Sequence, residues 1–275
     1  MKIHILTDNR TKKRGYLAEH GLSVYIEHEH LNVLFDTGQT NVYVQNANKM
    51  NIDLKLADCV VLSHGHYDHC GGLPCFPETD SFPKVYVHEA ALARKYSAIF
   101  GGRNFDDVGI PWVTDIPARI KDNLILTQES VQIAPGFTLC GNMQNASDFE
   151  DPPKGFFTRS KESRMPDTMP DEQMLVIESP GGLCVFLGCS HPGIISCLEH
   201  VKKLFPGKRL ETVLAGMHLD SAKPLRIKKT IEALDEMGIG RLIPLHCTGI
   251  SAISDMTRYF GARCFPLCAG NSIEI

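Results

Sequence analysis

Short apolar runs recur along the chain, cut by polar, glycine or proline breaks: KIHIL, SVYIEH, NVLFD, CVVLS, KVYVH, MLVIE, LCVFLG, TVLAGM and RLIPL. Their length and β-branched content predict strands. Helical spacing falls between several of them. TNVYVQNANKMNI follows the third run. PGIISCLEHVKKLF opens at Pro192, suited to a first helical turn, and stops before Pro206-Gly207. PLRIKKTIEALDEMG opens at Pro224 and meets a C-terminal glycine at Gly238.

Strand–helix alternation dominates both ends, and hairpin-like pairs fall near Glu29 and at Gly181-Gly182. That mixture predicts sheets packed with helices outside, an α/β layered architecture. The pattern weakens over 97–172, where SDFEDPPKGFFTRSKESRMPDTMPDEQ is charged and proline-rich. A long irregular stretch inside a domain is usually functional or disordered. The expectation is a single domain over 1–275 with an irregular insertion around 97–172, a lid or substrate-facing loop covering the site.

Composition removes several classes. The 275 residues carry 28 basic and 32 acidic side chains, a net charge of −4. No basic field points to nucleic acid or an anionic membrane. No apolar run approaches the roughly 18 residues of a membrane span, and MKIHILTDNRTKKRGYL lacks a signal peptide's apolar core. A cytoplasmic chain is expected. Ten cysteines lie scattered without a C-x-x-C pair. Cys59, Cys140, Cys184 and Cys197 fall in apolar runs and read as reduced, buried small hydrophobes. The sequence leaves the oligomeric state open.

The chemistry concentrates where strands end. LSHGHYDHCGG places His64, His66, Asp68 and His69 directly after CVVLS, where α/β folds commonly place ligands. Imidazole and carboxylate suit zinc, manganese or iron, and this spacing can serve two ions. A lone histidine would read as structural; this cluster reads as a metal site. His191, His218 and His246 each close a separate apolar run, in LGCSHPG, AGMHLD and PLHCTG. Together they imply one rim converging with the first cluster. Asp36, in NVLFDTGQT, could orient a ligand histidine from behind or simply occupy a tight turn.

LFDTG, LSHGHYDHCGG, LGCSHPGI, GMHL and PLHCTG resemble, in order, the metallo-β-lactamase superfamily. More narrowly they are similar to the branch containing dihydropterin–ribofuranosylaminobenzene 5'-phosphate synthase. The resemblance spans nearly the whole chain. It implies an αββα sandwich of two mixed sheets flanked by helices, with a dinuclear site at one edge. It also implies His64, His66 and His191 on one metal, Asp68, His69 and His246 on the other, and Asp36 supporting them. Two divalent ions are implied, zinc first, with manganese or iron as alternatives.

One position departs from the pattern. Many superfamily hydrolases carry a bridging aspartate where this chain has Cys189. Cys189 or Asp171 could contribute in its place, or Cys189 could be a plain buried thiol. The implied activity is hydrolysis of a phosphorylated small molecule, or transfer of a pterin-methyl diphosphate to an arylamine. Asp68 and His218 are the candidate catalytic residues, His218 as general acid or phosphate contact, with Lys223 and Arg226 as nearby charge. Two rivals remain: a diiron redox enzyme on the same scaffold, disfavoured by His66 where such relatives carry glutamate, and a non-catalytic binding member.

Overall fold

The structure, a computed structural model, describes residues 1–98, 105–151, 153–160 and 163–275. Among them the chain forms two compact units. One comprises Met1–Gln128, Pro153–Asp171 and Cys268–Ile275; the other comprises Glu129–Pro152 and Glu172–Leu267.

The main sheet of the first unit runs, edge to edge, through Ser272–Glu274, Lys2–Thr7, Ser23–Glu27, Val33–Phe35, Cys59–Val61, Lys84–His88 and Leu124–Thr127. Its first half is antiparallel. From Val33–Phe35 onward the pairs are parallel, and that change positions the site. Phe35 pairs with Val61, so Asp36 and the Leu62–His66 loop leave the same sheet edge in the same direction. The helix Val42–Lys49 buries Val42, Tyr43 and Ala47. Tyr43 and Ala47 join a core with Leu34, Val60, Leu62, Val85 and Trp112. A smaller sheet is built from Ser163–Pro166, Phe156–Ser160, Lys95–Ser97 and Asp106–Asp107.

The sheet of the second unit runs through Arg241–Leu245, Leu210–Gly216, Gly182–Leu187, Met174–Ser179, Phe137–Cys140 and Val131–Ala134. The first three strands are parallel, with Leu187, Ala215 and Pro244 in register. Their ends deliver His191, His218 and His246 to one edge. The helices Ile194–Leu204, Pro224–Glu236 and Ile250–Phe260 turn Leu198, Val201, Leu234 and Met256 into the core. Both units are mixed sheets carrying helices, the α/β class expected.

The stretch over 97–172 is more regular than its sequence suggests. Its described residues include the helix Ala118–Lys121 and the strands Leu124–Thr127, Val131–Ala134, Phe137–Cys140, Phe156–Ser160 and Ser163–Pro166. Residues 99–104, 152 and 161–162 of that stretch lie outside the described set. Several of these strands are edges or half-exposed, such as Val131–Ala134, so they show neither an apolar run nor clean alternation.

The segment SDFEDPP also contributes to packing. Gly193, at φ 102°, provides no side chain to cap the helix Ile194–Leu204. Glu150 caps it instead, accepting from Ile195 N at 3.0 Å, Ser196 N at 2.8 Å and Ser196 Oγ at 2.8 Å. A carboxylate there satisfies orphan N–H donors and complements the helix dipole. Arg226 closes the arrangement at 3.3 Å from Glu150 and donates to Phe149 O. The guanidinium expected to supply charge for substrate is thus committed to this buried contact.

Replacing Glu150 by Ala strips the helix of its cap and leaves Arg226 partly buried without its partner. Urea unfolding should show a loss of about 2–4 kcal/mol. A loss below about 0.5 kcal/mol, the range of an ordinary surface change, would contradict the capping role.

Candidate metal centre

In the first unit His64, His66 and His69 are nearly fully buried. The rings of His64 and His69 lie 4.2 Å apart between centroids, and those of His64 and His66 lie 4.6 Å apart. His64 Nε2 stands 3.0 Å from His66 Nδ1. Clustering three imidazoles away from water is costly unless their lone pairs are used.

Asp36 organises the group. It is fully buried and adopts φ 57°. Its Oδ1 accepts from Ser63 N at 2.7 Å; its Oδ2 accepts from Ser63 Oγ at 2.7 Å and contacts His69 Nδ1 at 2.7 Å. Ser63 Oγ also lies 2.9 Å from His64 Nδ1. Burial pushes the Asp36 carboxyl above its usual range, against the opposing pull of His69 and Ser63. A cation on the far side of His69 would offset that penalty. The donor set therefore fits a divalent metal.

The backbone of the loop is held as firmly. Thr37 N donates to His69 O at 2.7 Å, and Trp112 Nε1 donates to Cys70 O at 2.8 Å. Gly65, between the first two histidines, donates to Asp171 Oδ2 at 2.7 Å. A Cβ at Gly65 would drive into the Ala91 backbone, 2.8 Å from its Cα, so only glycine permits this approach. The other Asp171 oxygen accepts from Lys95 Nζ at 2.8 Å, and Asp167 binds the same ammonium at 2.6 Å. Burial alone would raise the Asp171 pKa, but the Lys95 charge and hydrogen bond, with help from His66 and Gly65, bring it down to about 2. Asp171, considered as a metal ligand, is a brace for the loop instead.

Asp68 is buried, with His20 Nε2 at 3.3 Å and His69 Nε2 at 3.6 Å from Oδ2. His20 was not anticipated from sequence.

In the second unit Glu172 repeats the role of Asp36. Its Oε2 lies 2.6 Å from His191 Nδ1, and its Oε1 accepts from Ser190 N at 2.9 Å and Cys189 N at 3.3 Å. Ser190, at φ 55°, donates from Oγ to Gly216 O at 2.7 Å. The Cys189 thiol offers a ligand atom within 4.8 Å of one on His191 and of one on His246. His218 packs its ring 4.9 Å from that of His191. Cys189, His191, His218 and His246 are thereby brought to one edge of this unit. Lys223 is exposed ahead of its helix.

Glu172, Ser63 and Lys95 escaped the sequence reading. MPDEQML looks like a solvated acidic loop, and the lysine in ALARKYS like a surface charge. Only their tertiary partners bury them.

Several known proteins resemble the chain. The metallo-beta-lactamase superfamily profile matches residues 17–141. An uncharacterized protein of Methanocaldococcus jannaschii is 29% identical over 257 residues, covering 93% of this chain and 94% of that one. The 7,8-dihydropterin-6-methyl-4-(β-D-ribofuranosyl)-aminobenzene-5'-phosphate synthase of the same organism is 28% identical over 295 residues, covering 100% of this chain and 96% of that one. Among solved structures, a metal-dependent hydrolase of the beta-lactamase superfamily superposes with a TM-score of 0.84 at 33% identity. The match covers 100% of this chain and 99% of that one.

Two predictions follow from the braces. Asp36→Ala and Glu172→Ala should each weaken metal binding by about 10–100-fold in chelator competition; unchanged affinity would refute their orienting role. Lys95→Met strands two buried carboxylates and should cost about 3–5 kcal/mol in urea unfolding near neutral pH. The Asp171 pKa is depressed in the folded chain. Its stabilisation is therefore complete above the unfolded value and fades as pH falls toward about 2. In Lys95→Met the sign reverses, and acidification should recover stability as the stranded carboxyls protonate. An acid limb identical to the parent's would contradict this account.

Proposed function

We propose a function from one premise, that this chain belongs to the metallo-β-lactamase superfamily. The proposed activity is metal-dependent chemistry on a phosphorylated small molecule. What carries the reading is the doubled brace, a buried carboxylate on the Nδ1 of a buried histidine, found at Asp36–His69 and again at Glu172–His191. Carboxylates orient metal-ligating histidines in this way, fixing the tautomer and raising basicity.

The ligands in this reading are His64, His66, Asp68, His69, His191 and His246. Cys189 stands where a bridging acid is otherwise expected and serves as a thiolate ligand. Two divalent ions, zinc foremost and manganese or iron as alternatives, would acidify water and polarise a phosphoryl oxygen.

The chain's own groups supply the remaining steps. Asp36 holds the Nδ1 side of His69 and Glu172 that of His191, so neither ring turns as charge develops. Asp68 orients the attacking group through its carboxylate. His218 carries the proton to the leaving oxygen. Its φ of 49° fixes the side chain's departure from the strand end, a strained geometry of the kind found at functional sites.

Hydrolysis draws support from the 33%-identical relative described as a metal-dependent hydrolase. Transfer is the second reading, supported by the full-length similarity to the dihydropterin-linked synthase. There the attacking group is an arylamine nitrogen and diphosphate departs. No helix among the described residues is long and apolar enough to cross a membrane.

The protein as isolated should contain bound zinc, manganese or iron by elemental analysis, and lose activity on chelation. A panel of phosphate esters should release alcohol if the enzyme is a hydrolase. Pterin-methyl diphosphate with an arylamine ribose phosphate should release diphosphate if it is a transferase. His218→Ala should lower kcat by about 10²–10⁴-fold with metal content unchanged. Absence of metal, or activity indifferent to its removal, would overturn the proposal.

A further inference from the structure

In the second unit Cys189 has a neighbouring thiol, Cys247, to which the proposed chemistry gives no role. Cys189 lies two residues beyond the strand Gly182–Leu187, and Cys247 two residues beyond Arg241–Leu245. The strand Leu210–Gly216 runs between them. Adjacent strands stand about 4.8 Å apart, so the two chain ends start roughly twice that distance from each other. Their sulfurs are nevertheless 3.4 Å apart.

Gly216 makes this approach possible. A Cβ there would fall against Gly188 O and within 2.8 Å of the Cys247 sulfur, so any larger residue would push the thiol away. Cys247 is anchored on both sides. His218 N donates to its Sγ at 3.3 Å, while Leu219 N and Asp220 N donate to its carbonyl at 3.0 and 3.2 Å.

We propose that Cys189 and Cys247 are a peroxide-sensitive dithiol whose oxidation to a disulfide withdraws Cys189 from the metal centre. This rests on the reading of Cys189 as a thiolate ligand. Cys247, part-exposed where Cys189 is buried, meets the oxidant first. Its thiolate attacks one peroxide oxygen, breaking the O–O bond, and becomes a sulfenic acid as water leaves. The Cys189 sulfur then attacks that sulfur, forms the S–S bond and releases a second water. Two thiols and one hydrogen peroxide give one disulfide and two waters; the sulfurs lose two electrons and the peroxide gains them.

The sulfurs need to close from 3.4 Å to about 2.05 Å, a movement within reach of side-chain rotation and a small loop shift. Once oxidised, Cys189 has no thiolate to offer a metal. Cys59 and Cys140 are poorer targets, since burial pushes both thiols up to about 12.

The test uses the metal-loaded protein as isolated, with metal content measured first. Treatment with equimolar hydrogen peroxide should yield one cross-linked peptide joining Cys189 to Cys247, lighter by two hydrogens. Metal should be released in step, as read by a chromogenic chelator, and dithiothreitol should reverse both changes. Cys247→Ser and Cys247→Ala should keep their metal and release it at least tenfold more slowly under peroxide.

No cross-link, or equal release from both Cys247 variants, would overturn the proposal. A cross-link without metal release would also overturn it, by removing Cys189 from the ligand set. Protein lacking metal before treatment refutes the proposed function instead, a separate failure read before any oxidant is added.

Discussion

A carboxylate holding the Nδ1 of a buried imidazole is the contact on which the rest of the structure depends. Asp36 does this for His69 at 2.7 Å, and Glu172 for His191 at 2.6 Å. Each carboxylate also takes backbone N–H groups from the loop its histidine belongs to or adjoins, Ser63 in one unit and Ser190 in the other. One side chain thereby fixes both a ring and the turn that presents it. Burying such groups is expensive in an apolar interior. That expense makes sense if the rings serve a cation, whose charge compensates the carboxylates and uses the remaining nitrogen lone pairs.

The backbone bears matching signs of constraint. Asp36, Ser190, His218 and His246 all adopt positive φ, a conformation costing a non-glycine residue about 1 kcal/mol or more. All four follow the ends of strands, where a chain leaving the sheet would ordinarily splay outward. The strain turns the side chains inward, and hydrogen bonds from Ser23 Oγ to Asp36 O and from Ser190 Oγ to Gly216 O hold the turns. Lys95, Asp167 and Asp171 extend the same logic to the Gly65 backbone. A rigid surround of this kind suits a site that must keep its ligands in place between turnovers.

Much of the fold was legible because apolar runs and helix punctuation are local. CVVLS, SVYIEH and NVLFD contain strands at Cys59–Val61, Ser23–Glu27 and Val33–Phe35. The proline-opened and glycine-closed segments became helices, although the first begins at Ile194 rather than at Pro192. The histidines were legible because they follow directly on those runs. The braces were not. Lys95 meets Asp171 across 76 residues and Glu150 meets Ser196 across 46. A charge in a polar stretch has the same local signature whether it ends in solvent or in a core. For that reason the region over 97–172 looked irregular, and Arg226 looked available when Glu150 already held it.

The most direct test of the account is a crystal structure of the protein as isolated, with anomalous difference maps at the zinc, iron and manganese edges. Two peaks are expected, with the Nε2 atoms of His69 and His191 as ligands and their Nδ1 atoms still on Asp36 and Glu172. Peaks absent from these histidines in a protein shown to carry metal would contradict it.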